Sequence, residues 1–132
     1  MLSIDGTMLT NGGQGDNDLI SVIDLKQNPP RVVDSIAVEQ IPEGTTMSPD
    51  GKYVAVIMQN GSNKPKSHPN YHKGSVLKVF RVDGTNLTLA ARAEFGGWGQ
   101  GVVWSKGGKT LLAQSMIDKA LDVFSFDGKA LK

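Results

Sequence analysis

The sequence predicts an all-β protein, a partial β-propeller of about three four-stranded antiparallel blades. Three observations favour this fold. Glycine makes up 16 of the 132 residues, well above the ~7% typical of proteins, which fits a chain with many tight turns. Ser48-Pro49-Asp50-Gly51 stands between two apolar stretches and marks a hairpin. Related segments recur with a period near 44 residues, and the complete unit has four predicted strands, which is typical of propeller blades.

The first repeat unit spans approximately residues 1–41. Its predicted elements are a turn at 3–6, a short strand at 7–10, a polar glycine-rich loop at 11–18 and strands at 19–25 and 31–38. The strands are assigned from runs of apolar and β-branched residues. Pro29 and Pro30 separate the last two strands and exclude a helix across that turn.

The second unit, approximately residues 42–98, carries the full pattern of four strands. They are predicted at 45–47, 53–59, 75–82 and 87–95. An Asp83-Gly84 hairpin turn separates the last two strands. Residues 61–74 are a polar insertion rich in Gly, Pro, Ser and Asn, and they predict a long loop between the second and third strands.

The third unit covers approximately residues 99–132 and aligns with the second. Residues 77–84 match 121–128 at an offset of 44, whereas 42–44 match 99–101 at an offset of 57. The difference of 13 residues is the insertion of the second unit. The strands predicted for the third unit are 101–104, 110–115 and 120–126. All three units belong to one predicted domain.

Composition excludes several classes of function. The formal net charge is +1, from 14 basic and 13 acidic residues, which argues against binding to nucleic acid or a membrane surface. The chain has no cysteine, so disulfides, thiolate metal sites and a cysteine nucleophile are excluded. No stretch approaches the ~18 apolar residues of a membrane span. The first residues lack the basic and apolar regions of a signal peptide, and the compartment stays undecided.

The repeat resembles the YVTN-type β-propeller repeat, whose pattern includes a strand ending near an Asp, Pro-x-Gly and Ser-Pro-Asp-Gly-Lys. The matching segments are Ser21–Asp24, Ser35–Val38, Pro42–Gly44 and Ser48–Val54. In the third unit Lys106-Gly107 replaces Pro-Asp, which is still compatible with a turn. The resemblance implies a likeness to lactonase-like propellers, including 6-phosphogluconolactonases, and to surface-layer and binding proteins. It favours a periplasmic or secreted location.

The number of blades raises the question of what completes the ring. A complete propeller needs roughly four to eight blades, and this chain supplies about three. An open arc would expose apolar sheet faces, which soluble monomers avoid. We therefore expect the remaining blades of a longer chain, or a second copy of this chain, to close the ring. We prefer the longer chain, because both ends of the sequence fall within repeats.

The resemblance also implies where a ligand would bind. In propellers, the connections between blades and the loops between the second and third strands share one face, around the mouth of the channel. Long loops at such positions often carry function. The residues that fall there, and that we predict to contact a ligand, are Glu39, Glu43, His68, Tyr71, His72, Trp98 and Gln100.

The ionisable candidates also have structural interpretations. Glu39 and Glu43 could act as a general base that activates water, or they could simply form an acidic loop. The spacing of His68 and His72 would suit metal ligation on a helix. Pro69 lies between the histidines and no carboxylate is near them, so we interpret both as solvated loop residues. We predict no metal site and no cofactor.

The tryptophans differ in their surroundings. Trp98 is flanked by glycines and could stack on a ring-shaped ligand or pack against the next blade. Trp104 lies in an apolar strand and is predicted to be a core residue.

Two functions follow from these observations. The first is a propeller module that presents loops to a small molecule or a protein partner and has no activity in this chain. The alternative is a lactone hydrolase similar to 6-phosphogluconolactonase, with water activated by acids or histidines at the channel mouth. The sequence does not decide whether the protein is an enzyme.

Overall fold

The computed structural model describes residues 2–4, 6–11 and 17–132, with side chains described from residue 17 onward. The strands of these ranges are β1 (Leu2–Ile4), β2 (Gly6–Asn11), β3 (Asn17–Asp24), β4 (Arg31–Glu39), β5 (Pro42–Met47), β6 (Tyr53–Met58), β7 (Ser75–Asp83), β8 (Asn86–Phe95), β9 (Gly99–Trp104), β10 (Thr110–Ser115) and β11 (Ala120–Ser125). Within these ranges no helix forms, and hence none that is long and apolar enough to cross a membrane.

The strands form three antiparallel sheets, each in chain order. The first sheet is β1-β2-β3-β4, the second is β5-β6-β7-β8 and the third is β9-β10-β11. After β11 the backbone continues into a single bridge between Phe126 and Leu131. Strand β5 lies against both β1 and β9, so the first strands of the sheets face one another on the inner side. The predicted all-β fold, a partial propeller, is therefore confirmed.

Two local predictions for the first unit differ from the structure. The turn predicted at 3–6 is replaced in part by β1, whose residues 2–4 pair with β2. The glycine-rich loop predicted at 11–18 is shorter, because β2 extends to Asn11 and β3 begins at Asn17. Residues 12–16 of that loop lie outside the described residues. The loop is shorter than predicted because Asn11 pairs with Leu19 across the two strands, and paired backbone groups favour strand over loop.

The repeated hairpin turn is held by the serine that opens it. Ser48 Oγ donates to Asp50 Oδ1 (2.7 Å) and accepts from the Tyr53 amide (2.9 Å). In the third sheet, Ser105 Oγ accepts from the Thr110 amide at 3.2 Å. The serine hydroxyl and the Lys52 amide hold the pKa of Asp50 below its ordinary value. Because Ser105 keeps the same contact, the turn survives the replacement of Pro-Asp by Lys-Gly.

Two apolar clusters fill the spaces between adjacent sheets. Between the first and second sheets lie Ile20, Val38, Val54, Val56, Met58, Val76 and Phe80. Between the second and third sheets lie Ala55, Ile57, Leu77, Val79, Ala91, Trp104, Leu111, Ala113 and Phe126. The strict alternation along β6 sends successive side chains to opposite faces, so the second sheet is buried on both sides. The predicted core position of Trp104 is confirmed, since it is buried and packs edge-on against Phe126.

One end of the sheets carries the connections between sheets and the long insertion, and we call it the upper face. It comprises the β4–β5 connection (40–41), the β6–β7 loop (59–74), the β8–β9 connection (96–98) and the β10–β11 turn (116–119). The hairpin turns at 48–52 and 105–109 lie at the opposite end, the lower face. Antiparallel order produces this division, because alternate connections return to the same end of a sheet.

Candidate functional site

A chain of hydrogen bonds joins the connections of the upper face. The Gln59 amide donates to the Ile41 carbonyl at 2.9 Å. The Trp98 amide donates to Ser62 Oγ (2.8 Å), and the Gly99 amide donates to Ser75 Oγ (2.7 Å). The two serine hydroxyls are buried and lie 3.0 Å apart. These hydrogen bonds fix the loops of the first, second and third sheets relative to one another.

The upper face also holds the strained backbone of the described residues. Ile41, Asn60, Trp98 and Lys119 have φ values of 59°, 55°, 55° and 51°. Each such residue costs of order ~1–3 kcal/mol unless its surroundings impose the conformation, and a β-branched Ile is an unusual occupant. Ile41 and Trp98 occupy the same repeat position, 57 residues apart. Strain of this kind clusters at ligand sites, which makes the upper face the leading location for one.

Glu43, Gln59 and Gln100 form a polar cluster on the inner side of this face, hereafter the inner polar cluster. Gln100 Nε2 lies 3.3 Å from Glu43 Oε1, and Gln59 Nε2 donates to Glu43 Oε2. Glu43 and Gln100 come from β5 and β9, at equivalent repeat positions. The Gln59 side chain is buried, and its Oε1 has no hydrogen-bond partner among the described residues. Such a buried acceptor is costly unless another molecule supplies a donor.

Gly44 explains how β5 and β9 come close enough to build this cluster. A Cβ at Gly44 would lie 2.3 Å from the backbone carbonyl oxygen of Gln100, a distance that no side chain tolerates. The glycine of the Pro-x-Gly pattern therefore allows the two inner strands, β5 and β9, to approach each other closely. The pattern is a packing feature that places Glu43 beside Gln100.

Glu39 lies in a different environment from Glu43. Its carboxylate joins the first sheet to the second, with Oε2 2.8 Å from Lys78 Nζ and Oε1 3.1 Å from Arg92 Nε. Burial opposes ionisation of Glu39, but the hydrogen bonds donated by Lys78 and Arg92 outweigh it and hold its pKa below the ordinary value. Arg92 also contacts Glu94 at 3.0 Å. Glu39 is thus a structural ion-pair partner and is not brought together with Glu43.

The insertion places its candidates away from the inner polar cluster. Residues 59–74 form a series of turns with no helix, so the geometry that would make His68 and His72 metal ligands is absent. His68 Nδ1 accepts from the Asn70 amide at 3.1 Å, and His72 is exposed. In the part of the chain that the structure describes, no three His, Cys, Asp or Glu side chains come close enough to hold a metal.

The two aromatic candidates both lie on the upper face. The Trp98 side chain is 39% exposed, in contrast to the buried Trp104, so its ring is accessible to a ligand or to a further blade. Tyr71 is half-buried and lines a cavity of about 760 Å³ between the insertion and the β8–β9 connection. Of the predicted residues, the structure therefore joins Glu43 with Gln100 and leaves the others dispersed.

Sequence reasoning missed Gln59, the buried member of the inner polar cluster. The available signal was a polar residue that follows the apolar run of β6, two positions before the insertion begins. Polar residues in such positions need a hydrogen-bond partner, and the partner here comes from β5.

Comparison with known proteins places the fold in context. No family model matches the chain. It is 34% identical over 110 residues to antigen Lp49 of Leptospira interrogans, an alignment that covers 83% of this chain and 23% of that protein. The chain thus spans about a quarter of the length of this curated relative.

Two solved structures share the backbone arrangement at low identity. A presumed 6-phosphogluconolactonase from Bacteroides fragilis superposes with a TM-score of 0.67 and 17% identity, covering 96% of this chain and 36% of that one. Hydrazine synthase of Kuenenia stuttgartiensis superposes with a TM-score of 0.64 and 17% identity, covering 93% and 37%. At this identity the likeness establishes the fold alone. The chain therefore shares a partial propeller architecture with both of these proteins.

Proposed function

We propose that this chain is a ligand-binding section of a propeller, with the inner polar cluster as the contact for a small polyhydroxylated molecule. The observation that carries the proposal is the carboxylate of Glu43 on β5, which is held between the side-chain amides of Gln100 on β9 and of Gln59 at the end of β6. A carboxylate accepts hydrogen bonds, and amides both donate and accept. Neighbouring hydroxyl groups of a sugar or polyol match that set. The exposed Trp98 ring can stack on the apolar face of such a ligand.

The alternative is a lactone hydrolase in which Glu43 acts as a general base on water. Its support is a carboxylate at the inner edge of a lactonase-like fold. Glu39 is engaged by Lys78 and Arg92, and His68 and His72 lie on the insertion. No second acid or histidine among the described residues hydrogen-bonds to Glu43, so the cluster favours binding.

The free face of the third sheet supports a ring completed by further blades. Leu121 and Val123 align with Leu77 and Val79 at the offset of 44. Leu77 and Val79 are fully buried against the third sheet, whereas Leu121 and Val123 are 65% and 63% exposed. The repeat therefore provides a surface that fits another blade, supplied by a longer chain or by a second copy.

One experiment tests the binding proposal against hydrolysis. D-Glucose is titrated into ¹⁵N-labelled protein while the side-chain amide signals of Gln59 and Gln100 are followed by NMR. In parallel, opening of glucono-δ-lactone is measured with a pH indicator against the spontaneous rate. We expect glucose to shift both amide signals, Glu43→Gln to abolish the shifts and the lactone rate to stay at background. Glu94→Gln, on an exposed outer carboxylate, is the matched control and should retain the shifts.

Two results would overturn this proposal. Lactone opening above background that Glu43→Gln removes would replace binding by hydrolysis. Amide shifts that persist in Glu43→Gln would move the ligand away from the inner polar cluster.

A further inference from the structure

The insertion forms one wall of a second cavity, the basic groove, which is distinct from the inner polar cluster. Lys64, Lys66, Tyr71 and Lys73 line it from the insertion, and Gly96-Gly97 lies on the opposite wall. Its volume is about 760 Å³, within the ~300–1,000 Å³ of small-molecule sites. The third unit lacks the 13 extra residues, so this cavity is specific to the second unit and is not a by-product of the repeat.

The insertion is anchored although it has no regular secondary structure. Gln40 Nε2 donates to the Asn70 carbonyl (2.8 Å), and Lys64 Nζ donates to Gln40 Oε1 (2.8 Å). Asn60 Nδ2 donates to the Gly74 carbonyl at 3.1 Å. Gln40 is fully buried, so its side chain is a rigid anchor to which the middle of the loop is hydrogen-bonded. The wall of the groove is preformed, which reduces the entropy lost on binding.

The groove has an excess of positive charge. Three lysines line it against two acids, Glu94 and Asp118, which is a formal excess of one positive charge. Glu94 contacts Arg92 at 3.0 Å, and Asp118 Oδ2 accepts from the Gly97 amide at 2.9 Å. Lys64 bonds to a neutral amide, and no described carboxylate pairs with Lys66 or Lys73. This excess of one positive charge favours an anion in the cavity.

Apolar surface in the same groove limits the class of anion. Tyr71 and Phe95 are half-buried and Ile117 is exposed, and all three line the cavity. An aromatic ring or a similar apolar body would pack there while its charged group meets the lysines. We propose that the basic groove binds a small organic anion, a carboxylate or phosphate carried on a ring.

The lower face provides a matched comparison. A cavity of about 740 Å³ there is also lined by three lysines, Lys52, Lys106 and Lys109. It is built from the recurring hairpin turns, and Lys52 lies 3.8 Å from Asp50. An anion attracted only by the number of nearby lysines would bind both cavities equally. The proposal requires that it binds the basic groove more tightly than the cavity of the lower face.

The test uses benzoate and phenyl phosphate as anionic probes and benzamide as the neutral control, each titrated into ¹⁵N-labelled protein. We expect shifts at the amides of Tyr71, Lys73 and Gly97 with the anions and none with benzamide. Lys66→Gln with Lys73→Gln should weaken anion binding by at least about fivefold. The control pair Lys106→Gln with Lys109→Gln removes equal charge from exposed positions on the lower face and should leave the affinity unchanged. A well-dispersed amide spectrum verifies that each variant is folded.

Three outcomes would overturn the proposal: equal shifts at both cavities, equal affinity for benzamide, or an unchanged affinity in the Lys66/Lys73 variant. Comparison of benzoate with phenyl phosphate decides which charged group the groove prefers. Glu43→Gln separates this site from the proposed function, because it should leave anion binding intact even if glucose binding is lost.

Discussion

Lys78 Nζ lies 2.8 Å from Glu39 Oε2, across the space between the second and first sheets. Lys78 and Arg92 are direct cross-strand neighbours on β7 and β8, and like charges so placed repel each other. Glu39 contacts both cations. One carboxylate therefore relieves a repulsion within the second sheet and joins it to the first.

Glu39→Gln should destabilise the protein by about 1 kcal/mol at neutral pH, since it leaves Lys78 and Arg92 opposed at a partly buried position. The folded-state pKa of Glu39 is below its ordinary 4.5. Its contribution is therefore complete above the unfolded-state pKa and is lost as the pH falls through the folded-state pKa. Urea unfolding at a series of pH values measures this difference, which should shrink below about pH 4.5.

The control for this prediction is Glu94→Gln, which removes a carboxylate that contacts the same Arg92 but is 65% exposed. Exposed pairs contribute little, so we expect a loss of only about 0.3 kcal/mol. Equal losses in the two variants would contradict the bridging role of Glu39.

Gly44→Ala should be strongly destabilising because the new Cβ would lie 2.3 Å from the Gln100 carbonyl oxygen. Inner strands β5 and β9 would have to separate, at a cost of about 1–3 kcal/mol, and the inner polar cluster would open. Thermal unfolding measures the loss. Gly107→Ala is the control, since a Cβ there meets no atom within 4 Å, and a melting temperature lowered equally by both variants would refute this role of Gly44.

The same substitution at Leu77 and Leu121 tests whether equivalent repeat positions differ in burial. Leu77→Ala empties a fully buried position and should cost about 2–5 kcal/mol. Leu121→Ala occurs at the equivalent but exposed position and should change stability by less than about 0.5 kcal/mol. Chemical denaturation at low protein concentration compares them, and similar costs would mean that the third sheet is already covered in solution.

Self-association tests what covers that sheet. We expect light scattering to give a mass above 14.1 kDa that rises with protein concentration, because association would bury the exposed apolar face of the third sheet. Leu121→Glu should restore the monomer mass by placing a charge on this face. Leu89→Glu, at a 51% exposed position on β8, should have no such effect. A wild-type chain that stays monomeric at all concentrations would contradict the prediction.

Local chemistry allowed most of the fold to be predicted, and long-range pairing limited the prediction of the site. The hairpin at Ser48–Gly51 follows from turn residues that determine their own backbone. Glu39 and Glu43 are four residues apart and looked equivalent in sequence, but their partners come from distant strands. Lys78 and Arg92 engage one, whereas Gln59 and Gln100 engage the other. No local pattern reports such partners.

The left-handed backbone shared by Ile41 and Trp98 has a consequence for how this scaffold can diversify. An aliphatic and an aromatic residue adopt the same conformation at one repeat position, so the surrounding connection imposes it and the side chain does not. This position, beside the inner strands, therefore tolerates different side chains. Exchanging residues there would change the side chain that each blade presents at the upper face, while the backbone beneath stays the same.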